Sequence, residues 1–141
     1  MPRYELITKT GYAAQGWRRY DSYAFAAADA VAPLVVQELA KACMSLPIAF
    51  LQQNDAYVPH AVQGLEPGRN LFVVNGKWVA PYTPAVYRGY PFALAQGEGD
   101  QLHLCIDMDS ALVGAGEGFD QQFFDDAGEA AQPVKDALNF L

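Results

Sequence analysis

The order of apolar and polar positions divides the chain into a helix, a series of strand pairs and a second helix. Val36, Leu39, Ala40 and Cys43 fall at i, i+3, i+4 and i+7, one stripe of a helix, with Gln37, Glu38 and Lys41 on the other side. Asp29 is placed to cap this helix. Pro33 suits its first turn, where the missing N–H has no partner to lose, and Pro47 ends it near Ser45. The period then shortens. Residues 47–51 (PIAFL) are a short apolar run that reads as a buried strand. Residues 71–74 and 77–82 flank Asn75-Gly76, which supplies the two positive φ angles of a type I′ turn and so predicts a hairpin. Residues 90–96 and 102–107 predict a second hairpin, turning across residues 97–101. Gly114, Gly116 and Gly118 mark a loop. Pro133 then opens a closing helix whose stripe is Val134, Ala137, Leu138 and Leu141. Such a stripe has to be buried on its own body or on a missing or partner segment, and a homo-oligomer is one way to cover it. Residues 1–23, with Tyr4, Tyr12, Trp17, Tyr20 and Tyr23, read as an irregular arm or short strand packed onto the body.

The expected fold class is α+β: a mainly antiparallel sheet of sequential hairpins packed against an N-terminal-half helix and a C-terminal helix. It is expected as one domain over residues 1–141. An apolar fraction of 52% with 18% charged residues excludes general disorder. The most apolar stretch, residues 24–36, is interrupted by Asp29 and Pro33, so no segment reads as membrane-spanning. The polar N-terminus gives no secretory signal, which points to the cytoplasm.

Charge is unevenly placed. Residues 1–97 hold 8 Lys/Arg and 6 Asp/Glu, a balance of +2, whereas residues 98–141 hold 1 and 10, a balance of −9. The net −7 opposes nucleic-acid binding, which needs a basic face to replace phosphate counterions. Cys43 and Cys105 are too few for a disulfide scaffold, and both sit in apolar runs that suggest reduced core thiols.

Two groups of residues carry candidate chemistry. Along residues 102–109 the side chains alternate, so Leu102, Leu104, Ile106 and Met108 face one way and His103, Cys105, Asp107 and Asp109 the other, at spacings of about 6–7 Å. His103, Cys105 and Asp107 could form a thiol nucleophile with its base, although any half-buried strand with one wet face shows the same pattern. Asp107-Met108-Asp109 does not continue as an EF-hand loop, because Ala111, Leu112 and Gly118 stand where ligands and the turn glycine are needed. Gly114, Gly116 and Gly118 lack the dinucleotide spacing, and no Walker loop or HExxH helix is present. No metal or cofactor is implied. The second group is aromatic and cationic: Asn70, Phe72, Trp78, Tyr82, Arg88, Tyr90 and Phe92. Aromatic rings with polar tips beside an Arg can build a recognition surface for a peptide or small acid, or a packed core around one Arg.

The same residues carry a family resemblance. The runs at 47–50 (PIAF), 68–73 (GRNLFV), 76–78 (GKW), 82–85 (YTPA), 88–92 (RGYPF) and 105–107 (CID) match, in order and spacing, the outline of the SapC family of bacterial proteins. Residues 33–38 and 124–128 (FDDAG) agree with it, so the resemblance covers about residues 30–130. Family members are typically longer, so the resemblance implies a short member lacking the usual C-terminal portion. Gly89 also replaces a second Arg common at that point. The resemblance implies an association with bacterial surface layers and brings no catalytic residue set. The expected function is a non-catalytic binding or accessory module that holds a peptide segment or small ligand through Asn70, Trp78, Tyr82, Arg88 and Tyr90. The alternatives are an enzyme using Cys105 and His103, and a structural protein of the surface layer.

Overall fold

Alternation at residues 92–107 makes the hairpin that it predicts. In the computed structural model, which describes residues 3–99 and 101–140, Phe92–Gln96 (β8) runs antiparallel to Leu102–Asp107 (β9), from Phe92 opposite Ile106 to Gln96 opposite Leu102. Positions 100 and 141, in the expected turn and closing stripe, lie outside the described residues. The chain divides into two compact units, residues 1–20 with 89–141 and residues 21–88. Among the described residues, short α-helices and small antiparallel sheets make an α+β fold. No helix among them is long and apolar enough to cross a membrane.

The first unit is built around the β8–β9 hairpin. Tyr4–Leu6 (β1) pairs antiparallel with β9, Tyr4 opposite Asp107 and Leu6 opposite Cys105. Lys9–Tyr12 (α1) follows, its first turn capped by Thr8 Oγ1, which accepts the Gly11 N–H at 3.2 Å. Gly16–Trp17 (β2) is the middle strand between Val113–Gly114 (β10) and Gln121–Gln122 (β11). Gly16 is required there, since a Cβ would lie 2.6 Å from the Phe119 carbonyl oxygen. Residues 1–23 are therefore more than an arm: Tyr12 and Trp17 join Phe92, Ile106, Phe123 and Val134 in the core. Trp17 meets Phe92 edge-on at 4.7 Å and Tyr12 meets Phe123 at 5.2 Å. Gln132–Phe140 (α4) closes the unit, burying Val134 while Leu138 stays 41% exposed.

The second unit departs further from its pattern. No long helix starts at Asp29. Instead Val31–Pro33 (β3) pairs with Ala56–Val62 (β5), Val31 opposite Val62 and Pro33 opposite His60. Pro33 is accommodated because β3 is an edge strand. The Leu34 N–H donates to the Pro59 carbonyl at 2.9 Å, which commits the backbone to the sheet through residue 34. Helix can begin only after that point, as a 3₁₀ turn at Val36–Glu38 and a single α-turn at Leu39–Ala42 (α2). The buried stripe is accordingly Leu34, Glu38, Ala42 and Leu46, and Val36 and Cys43 point to solvent, so Cys43 is not a core thiol.

Ile48–Gln53 (β4) forms the far edge of this sheet, in the order β3-β5-β4. It is longer than residues 47–51 and is not buried, because its ladder with β5 runs past the core and leaves Phe50 and Leu51 exposed. The β4–β5 hairpin was not foreseen in the sequence. It turns at Asn54-Asp55, with Asn54 at φ +53°. The expected hairpin at Asn75-Gly76 is present but short: Val73–Val74 (β6) pairs with Lys77–Trp78 (β7), with φ +50° and +74° at the turn. Ala85–Arg88 (α3) ends the unit.

Candidate functional site

The aromatic–cationic set is assembled mostly in the second unit. The β6–β7 turn delivers Trp78 into a cluster of rings, with Tyr87 at 5.6 Å, Phe72 at 5.8 Å and Tyr23 at 6.0 Å. Its indole N–H donates to the Tyr82 carbonyl at 2.9 Å, which folds residues 78–82 back on themselves. That bend brings the Tyr82 ring beside α3. Arg88, at the end of α3, is exposed. Its Nη2 donates to the Tyr82 hydroxyl at 3.1 Å, and its guanidinium carbon lies 5.6 Å from the ring centroid.

Behind this pair stands Glu38, only 5% exposed. Its carboxylate accepts the Ala85 N–H, with Oε2 at 3.2 Å and Oε1 at 3.5 Å, so it holds the start of α3 in place. Burial pushes the Glu38 carboxyl up from its ordinary value, against the lowering pull of the Ala85 N–H and of Arg88. Burial likewise raises the Tyr82 phenol, helped by Glu38 and opposed by Arg88. In the sequence Glu38 reads as part of a solvated helix face. Its burial follows from the rotated stripe, and the four-residue spacing of Leu34, Glu38, Ala42 and Leu46 was the available signal.

Asn70 is buried among backbone groups. Its Nδ2 donates to the Ala26 carbonyl at 3.0 Å and its Oδ1 accepts the Phe72 N–H at 2.9 Å. Asp29, expected as a helix cap, accepts from the Tyr87 hydroxyl at 3.0 Å, and that hydroxyl accepts from the buried Gln63 amide at 2.7 Å. Trp78, Tyr82 and Arg88 are thus brought together, and Asn70 braces the backbone nearby in sequence.

Tyr90 belongs to the other unit, where it meets the His103–Cys105–Asp107 row. Its hydroxyl donates to Asp107 Oδ2 at 2.9 Å, and burial, with Asp107 adding to it, pushes the phenol up to about 12. Asp107 Oδ1 accepts the N–H groups of Arg3 at 3.0 Å and Asp109 at 3.2 Å. The carboxylate therefore ties the start of β1 and the exit of β9 to Tyr90. The face expected to be wet is closed at this end, since Cys105 and Asp107 are both buried. Burial pushes the Cys105 thiol up, opposite to what a thiolate nucleophile requires. Its Sγ faces the His103 carbonyl at 3.8 Å, while the His103 ring occupies the space beside Gly97. Among the described residues, no three His, Cys, Asp or Glu side chains are placed to hold a metal ion.

A surface pocket of about 260 Å³ lies in the same unit, walled by Lys9, Gln15, Phe124, Asp125 and Asp126. Asp125 is engaged by its own turn, its Oδ1 accepting the N–H groups of Ala127 at 3.0 Å and Glu129 at 2.9 Å. The FDDAG run is thus a hairpin turn whose carboxylate organises its backbone. The SapC family model matches residues 7–141, nearly the whole chain. No curated protein and no solved structure matches it.

Proposed function

The chain belongs to the SapC family, and on that premise we propose that it is a non-catalytic binding or accessory module. Arg88 takes the carboxylate of a peptide segment or small ligand, and Tyr82 and Trp78 contribute apolar surface beside it. The observation that carries this reading is the state of Arg88. It is exposed, yet its guanidinium is held against the Tyr82 hydroxyl and ring. A cation already held in place loses less side-chain freedom on binding than a free one, and its planar fork suits a carboxylate.

Titration of the labelled protein with acetylated peptides bearing a free C-terminal carboxylate tests it by NMR. Chemical-shift changes should centre on Arg88 and Tyr82. Arg88→Ala should weaken the response by roughly tenfold to a hundredfold, the range for a hydrogen bond to a charged group, with an unchanged circular dichroism spectrum. Arg88→Lys should keep only part of it. Shifts that ignore Arg88→Ala, or an Arg88→Ala protein that is unfolded, would remove the site.

A further inference from the structure

The outer edge of β4 has a pattern that matches itself. The Val62 N–H donates to the Pro47 carbonyl at 2.8 Å, which makes 47 and 62 a hydrogen-bonded pair. Such pairs recur at every second residue of an antiparallel ladder. Ala49, Leu51 and Gln53 therefore turn their backbone groups toward β5, and Ile48, Phe50 and Gln52 turn theirs outward. Among the described residues these outward groups have no hydrogen-bond partner. Natural sheets usually blunt such an edge with charge, proline or a bulge. This one has none of them along its paired length. Residues 44–53 carry no charged side chain, and Pro47 precedes the strand. Phe50 on β4 is 62% exposed and Tyr57 on β5 68% exposed, which leaves exposed ring surface beside the unpaired edge.

We propose that this edge pairs with the same edge of a second copy of the chain, antiparallel, about a two-fold axis through Phe50. The outward set 48, 50, 52 is symmetric about its middle member. Ile48 then meets Gln52, Phe50 meets Phe50 and Gln52 meets Ile48, three pairs that each exchange two backbone bonds. On the opposite face Ala49 comes opposite Leu51. The two three-stranded sheets become one of six, and the interface is isologous.

Charge favours a second copy as the occupant. The protein as a whole is −7, but residues 21–88 hold 4 Lys/Arg and 5 Asp/Glu, a balance of −1. An acidic chain meets least self-repulsion through this unit and through an edge with no charge. The same register carries Asp55 of each copy toward residue 45 of the other. There Met44 is 83% exposed and Lys41 lies on the preceding turn, so opposite rather than like charges approach.

Sedimentation equilibrium on the full chain tests this. The wild type should be a dimer, and Phe50→Lys and Phe50→Glu should each be monomeric, because residue 50 then faces its own charge. An equimolar mixture of the two variants should recover the dimer. Hydrogen exchange on the wild type reads the same edge without substitution. The Phe50 and Gln52 amides should gain protection as protein concentration rises, while Ala49 and Leu51 stay unchanged. A wild type that is monomeric throughout, a Phe50→Lys protein that stays dimeric, or Phe50 and Gln52 amides indifferent to concentration would each overturn the proposal.

Discussion

Glu38 shows what a single buried carboxylate does in a fold this small. Its role is positional: it receives the first N–H of α3, and α3 carries Arg88. Burial raises its folded-state pKa, so the ionised form is the one the fold disfavours. The contribution of Glu38 to stability is therefore fully present below its unfolded value of roughly 4.3 and is lost as pH rises through the higher folded value. Glu38→Gln keeps an acceptor for Ala85 and removes the ionisation. In urea titrations the variant should gain on the wild type between pH 4 and pH 7, and a gap that does not change with pH would show that Glu38 ionises freely. Asp107 has a different set of partners: its oxygens are engaged by two backbone N–H groups and a phenol. A buried carboxylate therefore braces one unit and positions the candidate site in the other.

At the scale of elements, turn chemistry was the most readable signal and helix periodicity the least. Asn75-Gly76 and the 92–107 hairpin appear where the residues predict them, because a positive φ pair or a two-residue alternation is a local property. The longer hairpin turns with a single positive φ, +53° at Asn54, and Pro59 and His60 break the apolar run that would mark its second strand. An L-residue in the left-handed region costs roughly 1–2 kcal/mol, and Asn pays less of that than Ala because its side chain can bond locally. Asn54→Ala should thus destabilise the protein by about 1 kcal/mol, and Asn54→Gly by little or nothing, measured by urea denaturation. Equal losses for both would mean that the Asn side chain is needed for something other than its φ. The helix of residues 29–45 failed as a prediction for a reason outside itself. Strand pairing through Leu34 left only enough free chain for one 3₁₀ turn and one α-turn.

For the whole molecule, charge separates the two units. Residues 1–20 with 89–141 hold 5 Lys/Arg and 11 Asp/Glu, a balance of −6, against −1 for residues 21–88. The ion pairs found among the described residues, Arg3–Asp109 at 3.4 Å and Arg69–Glu66 at 3.6 Å, are both exposed, and such pairs contribute at most about 1 kcal/mol each. Net repulsion should therefore outweigh them. Raising salt from roughly 0.01 to roughly 0.1 M shortens the screening length from about 30 to about 10 Å. The melting temperature should rise over that range, and a fall would mean that local pairs dominate.

Sequence alone determined the fold class, two of the hairpins, the closing helix and the residues among which the candidate site lies. These depend on short-range properties: period, turn residues and family words. Tertiary structure decided which of those residues meet. Tyr90 went to a different unit from Arg88, Asn70 was used up on backbone, and Glu38 was turned inward. It also decided that β4 ends as an open edge, since a strand is central or peripheral only by what the rest of the chain places beside it. The energy of a contact depends on neighbours distant in sequence, and no local pattern records them.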